Sequence, residues 1–67
     1  MNLLDVNAGK WYNITKTCQE LKFWELGIMP EEKVRVLKKQ GGLILLELEP
    51  NNIFAIREEQ AKCIKVK

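Results

Sequence analysis

Apolar and polar residues alternate along much of this chain, a pattern typical of β-strands that bury one face. In the segment that starts at residue 33, Val34 and Val36 face one way while Lys33 and Arg35 face the other. Aromatic and β-branched residues favour a further strand at 11–15. The pattern predicts about five short strands in all, at 11–15, 33–39, 43–49, 53–57 and 63–67.

Turn-forming residues separate these strands at short intervals. Asn, Gly and Pro cluster at 7–9, at 40–42 and at 50–52, and each cluster predicts a turn. The pleat then predicts which side chains share the buried face of the later strands. These are Ile44, Leu46 and Leu48 in the third strand, and Ile64 and Val66 in the last.

One helix is predicted between the first two strands. Thr17 and Glu20 have the spacing of a capping box, which starts a helix at Cys18. Gly27 is suited to the left-handed conformation that ends a helix, and Pro30 prevents its continuation. We therefore expect a helix over 18–26 and a structural hinge at Gly27 and Pro30. Residues 58–62 are expected to form a single turn.

This order of elements predicts one mainly β domain over residues 1–67, built as a small β-barrel with one short helix. A barrel is expected because closing the sheet removes its edges. A chain of 67 residues forms one domain with a small core. Its composition, with 46% hydrophobic residues, is that of a globular protein.

The chain lacks the side chains that most catalytic and metal sites use. It contains no His and no Ser, and it has no phosphate-binding Gly-Lys-Ser/Thr loop. Ferrous iron sites commonly combine His with carboxylates. We therefore predict a protein that is not an enzyme, with no catalytic residues, no cofactor and no metal ligands of its own.

Location and redox state follow from simple patterns. No apolar run is long enough to span a membrane, and no signal peptide is recognisable, so a cytoplasmic location without membrane insertion is expected. Cys18 and Cys63 lie far apart in the sequence and form no CxxC motif. They are interpreted as buried free thiols, and a single bridge between them stays open.

Several short motifs, in this order, resemble the FeoA family. The apolar opening segment with Gly9 comes first, and Leu-Gly-Ile-Met-Pro at 26–30 follows the helix. Phe-Ala-Ile-Arg at 54–57 and Ile-Lys-Val at 64–66 come last. The resemblance covers nearly the whole chain. Glu31 departs from the pattern, because a Gly usually follows the Pro in this family.

The resemblance implies an SH3-like fold and an accessory role in bacterial ferrous iron transport. Members of this family resemble adaptors that act on FeoB, a large membrane iron transporter with a cytosolic G-protein domain, and the expected partner is the transporter's cytosolic domains. The fold also resembles the C-terminal domain of DtxR-type repressors. This chain has no room for their DNA-binding and dimerisation domains, so the stand-alone FeoA type is the better match.

A partner surface is predicted on the helix and the hinge. At about 100° per residue, Phe23 and Leu26 share one stripe, and Leu21 and Trp24 point away from it. The family pattern assigns the first pair to the core. Leu21, Trp24, Ile28 and Met29 are then the candidate partner-binding residues. The alternative is that Trp24 closes one end of the barrel.

Two other functions stay open at this point. Lys33, Arg35, Lys38 and Lys39 form a basic cluster that a nucleic-acid-binding barrel could use, but acidic residues are interleaved with it and the net charge is only +2. We expect no nucleic-acid partner. Edge strands, or the patch at Leu21 and Trp24, could instead pair two copies as a weak homo-oligomer.

Overall fold

The computed structural model describes residues 1–17, 21–49 and 51–67. These described residues contain five strands and two short helices. In chain order they are β1 (Trp11–Lys16), α1 (Leu21–Glu25), β2 (Lys33–Gln40), β3 (Leu43–Leu48), β4 (Asn52–Arg57), α2 (Glu58–Ala61) and β5 (Lys65–Val66). The predicted mainly β fold is confirmed.

The strands form one antiparallel sheet in the order β4-β3-β2-β1-β5. The hairpin between β2 and β3 turns at Gly41 and Gly42, whose φ values are 60° and 79°. Positive φ at both central residues is the geometry of a type I′ turn, which matches the twist of the two strands. Gln40 and Leu43 are paired directly beside that turn, so the expected turn is confirmed.

The buried side chains come from nearly every element and form one cluster. The alternation predicted from sequence is confirmed, since the expected residues of β2, β3 and β5 are buried and their neighbours are more exposed. The cluster consists of Leu3, Val6, Ile14, Phe23, Ile28, Val34, Val36, Ile44, Leu46, Leu48, Ile56, Ala61, Ile64 and Val66.

The sheet is compatible with a small SH3-like fold, but its described strands do not close into a barrel. The strand order leaves β4 at one end and β5 at the other. At the β5 end, Asn2 forms a further bridge with Lys65. The expectation that closure removes both edges is therefore wrong. Sequence patterns fix the number and faces of strands, whereas closure depends on how far the sheet curls.

Both helices are short. Residues 18–20 lie outside the described residues, and with them the predicted start of the first helix and its capping box. The segment after β4 forms a single turn, α2, as predicted. The Gln60 side chain stabilises that turn, because its Oε1 accepts a hydrogen bond from the Arg57 N–H at 2.9 Å.

Adjacent aromatic residues at the start of β1 face opposite sides of the sheet, as the pleat requires. Trp11 is exposed, whereas Tyr12 is half-buried and packs against the core. The Tyr12 hydroxyl accepts a hydrogen bond from the Asn7 N–H at 3.2 Å. The sequence predicts that one of these two residues is buried and the other exposed, without indicating which is which.

Candidate partner-binding surface

The end of α1 is a Schellman motif that turns the chain sharply. The Gly27 N–H donates to the Trp24 carbonyl at 3.1 Å, and the Ile28 N–H donates to the Phe23 carbonyl at 2.8 Å. Gly27 has a φ of 85°, the left-handed conformation predicted for this position. The two bonds satisfy carbonyls that would otherwise be left without partners at the helix end.

A second tight turn follows at once. The Glu32 N–H donates to the Met29 carbonyl at 3.2 Å, with Pro30 and Glu31 as the two central residues. Glu31 has a φ of 78°, so the turn has the geometry of type II with Pro at its second position. The position at which the family has Gly therefore keeps the glycine-like conformation, although a Glu occupies it.

Backbone bonds hold this hinge against β1. The Glu31 N–H donates to the Ile14 carbonyl at 2.7 Å, and the Ile14 N–H donates to the Glu32 carbonyl at 2.8 Å. Ile14 itself belongs to the buried core. The segment from the helix end to β2 is therefore fixed at both ends, and the side chains it carries are held in place relative to the sheet.

Two of the predicted partner-binding residues are exposed, Trp24 near the end of α1 and Met29 in the hinge. Trp24 is 57% exposed and Met29 is 37% exposed, while Phe23 is fully buried. The alternative in which Trp24 closes one end of a barrel is wrong, because its side chain lies mostly in solvent. Leu21 is the first residue of α1, and its side chain lies outside the part that the structure describes.

Ile28 requires a correction. It was predicted to face a partner, but it is fully buried in the core cluster. The Schellman motif explains the difference, because the residue after the left-handed glycine usually packs against the residue three positions before the cap. Here those residues are Ile28 and Phe23, both in the core cluster. Ile28 therefore supports the hinge from inside.

A cleft beside the helix end was not predicted. It is open to solvent and is lined by Glu25 and Leu26 of α1 and its cap, together with residues 51–54 at the start of β4. Its lining combines the carboxylate of Glu25 and the amides of Asn51 and Asn52 with apolar side chains. The two segments lie far apart in sequence, and no local pattern indicates that they meet.

Comparison with known protein families gives a match over the whole chain. The model of the FeoA domain matches residues 1–67. The chain belongs to the FeoA family. Membership assigns it a role in ferrous iron transport. Comparison with curated proteins and with solved structures gave no significant match.

Two residues of the basic cluster in this FeoA-family chain form hydrogen bonds within the molecule. On β2, the Arg35 Nε donates to the Glu47 Oε1 at 3.0 Å, its Nη2 donates to the same oxygen, and the guanidinium lies 4.8 Å from the centre of the Trp11 ring. Glu47 is only 8% exposed. Burial of a carboxylate is tolerated here because a charged donor faces it.

Lys39 is engaged as well. Its Nζ donates to the Leu4 carbonyl at 2.7 Å and to the Val6 carbonyl at 3.3 Å. The ammonium group thus joins the opening segment to β2, and it satisfies two carbonyls that the described strands leave unpaired. Of the basic residues singled out from the sequence, Arg35 and Lys39 therefore have structural roles in this FeoA-family chain.

The described residues offer neither a clustered set of metal ligands nor a membrane-spanning helix. Within residues 1–17, 21–49 and 51–67, no group of three Cys, Asp or Glu side chains is placed to hold a metal ion. Among the described helices, none has the length and apolar character needed to cross a membrane. Cys63 is half-buried with a free thiol, and Cys18 lies outside the described residues.

Proposed function

We propose that this chain is a cytoplasmic accessory protein that binds the cytosolic domains of a FeoB-type membrane transporter and modulates ferrous iron uptake. It does no catalysis itself. The observation that carries the proposal is the exposure of Trp24, near the end of α1, and of Met29, in the hinge that follows, on a segment fixed by backbone hydrogen bonds. Family membership supplies the transport system in which such a surface would act.

The chemistry of the two side chains supports a protein partner. Tryptophan is enriched at the energetic centres of protein interfaces, where a large flat side chain fills a pocket on the partner. Methionine adapts to irregular apolar surfaces because its side chain is unbranched and polarizable. An exposed Trp and an exposed Met, five residues apart in a chain with few aromatic residues, are therefore suited to docking in an apolar pocket.

The rigidity of the hinge supports the same conclusion. When a mobile segment binds, ordering that segment costs free energy and so lowers the affinity. Here Gly27 and Glu31 already occupy their turn conformations, and Ile14 anchors the turn from both sides. Little backbone ordering is then left for the bound state, so most of the free energy gained by burying Trp24 contributes to affinity.

Calorimetric titration of the transporter's purified cytosolic domains tests the proposal. We expect Trp24→Ala to weaken binding by about tenfold or more, because it removes the largest exposed apolar side chain of the hinge. Leu43→Ala is the matched control, because Leu43 is exposed to a similar extent but lies on β3 beside the Gly41-Gly42 turn. Equal affinities for the two variants would contradict the proposed surface.

A further inference from the structure

The edge of the sheet at β4 has a definite pattern of free backbone groups. The Glu58 N–H donates to the Gly42 carbonyl at 3.1 Å, immediately beyond the pairing of Leu43 with Arg57. Hydrogen-bonded and non-bonded pairs alternate along an antiparallel ladder. The residues of β4 that bond to β3 are therefore Asn52, Phe54 and Ile56. The backbone groups of Ile53, Ala55 and Arg57 point to the free edge.

Ile53 and Ala55 are the two residues available at this edge. The Arg57 N–H is already taken, because it donates to the Gln60 Oε1 at 2.9 Å. In the part of the chain that the structure describes, no backbone hydrogen bond reaches the N–H or C=O of Ile53 or Ala55 on this side. The edge therefore offers two donors and two acceptors in a short extended row.

The side chains around this row are apolar and accessible. Ile53 is 57% exposed, Ala55 is exposed, and both lie on the outer face of the sheet. Leu43 and Leu45 continue that face on β3. Soluble proteins usually protect an exposed edge with Pro, with Lys or with an inward-pointing charge. Residues 52–57 include none of these devices, and their one charged residue, Arg57, stands at the end of the strand.

We propose that a second copy of this chain pairs with β4 in antiparallel register, with Ile53 opposite Ala55 of the second copy. In this register the Ile53 N–H donates to the Ala55 carbonyl of the other copy, and the Ala55 N–H donates to the other Ile53 carbonyl. The two-fold axis, which passes at Phe54, repeats both bonds. All the free groups of the row are then satisfied, and the bond from Arg57 to Gln60 stays intact.

The choice of a second copy over another extended segment rests on self-complementarity. A two-fold interface requires a surface that complements itself. The row of Ile53 and Ala55 is self-complementary both in its backbone groups and in its side chains. Each Ile53 meets an Ala55 on the outer face, so apolar side chains are buried on both sides of the axis. Arg57 comes opposite Asn51 of the second copy, so no like charges face each other despite the net charge of +2.

A concentration series of molecular mass by sedimentation, under reducing conditions, tests this pairing. We expect the mass to rise from 7.8 kDa towards twice that value. Hydrogen exchange of the Ile53 and Ala55 amides should slow in parallel, because pairing protects these groups. A mass that stays monomeric up to about 1 mM protein overturns the proposal. So does association that leaves both amides unprotected, since it would use another surface.

Two variants and a control complete the test. Ala55→Pro removes a donor on the free edge without removing a bond to β3, and it should weaken association by about tenfold or more. Ile53→Lys keeps the backbone and places a charge at the edge, so it tests the pairing even if the Pro variant does not fold. Leu43→Lys adds the same charge to the same face away from the edge and should leave association much closer to that of the parent chain. Unchanged association of Ile53→Lys overturns the proposal.

Discussion

The N–H of Ile28 donates to the carbonyl of Phe23 at 2.8 Å, and both side chains are fully buried. This bond sets the orientation of the whole hinge. With Phe23 directed to the core, the next residue along the helix lies about 100° away, which leaves Trp24 in solvent. The capping motif and the helical period together therefore determine which of these apolar side chains are buried and which are exposed.

The first prediction concerns Gly27. Gly27→Ala should lower the free energy of unfolding by about 1 kcal/mol, because a residue with a Cβ is strained in the left-handed conformation. A steric clash is not the cause, since an added Cβ would lie 3.7 Å from the Leu48 Cδ1, an ordinary contact distance. Gly27→Asn should cost less than Gly27→Ala, because Asn tolerates this conformation. Urea denaturation measures both, and equal losses would contradict this explanation.

The second prediction concerns Glu31. Glu31→Gly should raise the free energy of unfolding by roughly 0.5–1 kcal/mol, because the turn requires a positive φ at this exposed position. Glu32→Gly is the matched control. Glu32 does not have a positive φ, so a glycine there only adds freedom to the unfolded chain and should destabilise the protein. If both substitutions destabilise in thermal and urea unfolding, the turn assignment is wrong.

Much of this fold could be predicted from local patterns. The alternation in β2 and β3, the paired glycines of the hairpin and the glycine after α1 each depend on residues close together in sequence. Closure of the sheet could not be predicted in this way. It depends on the relation between β4 and β5, at opposite ends of the sheet, and no residue pattern encodes their distance.

A third prediction concerns the ion pair across β2 and β3. Arg35→Met should destabilise the protein by about 2 kcal/mol, because it leaves the nearly buried Glu47 carboxylate without its charged donor. Arg35→Lys keeps the charge but loses the guanidinium contacts to Glu47 and Trp11, so an intermediate loss is expected.

The double variant Arg35→Met, Glu47→Met distinguishes the interaction between the two side chains from the cost of leaving Glu47 unpaired. Replacing both partners by apolar side chains removes the unpaired charge, so the double variant should be more stable than Arg35→Met alone. Urea denaturation of the parent chain, the two single variants and the double variant completes a double-mutant cycle, which gives the coupling free energy between the two side chains. Strictly additive losses would show that the two side chains do not stabilise each other.

The fourth prediction concerns the opening segment. Lys39→Met should reduce stability by about 1 kcal/mol, because the Leu4 and Val6 carbonyls lose their donor. Lys38→Met is the matched control, since Lys38 lies on the outer face beside Leu43 and Leu45. Amide exchange in residues 3–6 should accelerate for the Lys39 variant alone. Equal exchange in both variants would contradict this role of Lys39.

The candidate surface was only partly predictable. Helical geometry separates Trp24 from Phe23, and that part of the prediction agrees with the exposure of the two side chains. Ile28 was misassigned because residues beyond a helix end do not follow the helical period. Only the capping bonds indicate where such a residue points. The cleft between α1 and β4 depends on tertiary packing, and sequence patterns give no sign of it.

Amide chemical-shift mapping tests the central claim most directly. The transporter's purified cytosolic domains, with and without guanine nucleotide, are titrated into the labelled chain. The proposed function predicts shifts concentrated around Trp24 and Met29 and in the hinge between them, and a marked reduction of these shifts in Trp24→Ala. The proposed function would be contradicted by no shifts at high protein concentration, or by shifts confined to the start of β3 around Leu43.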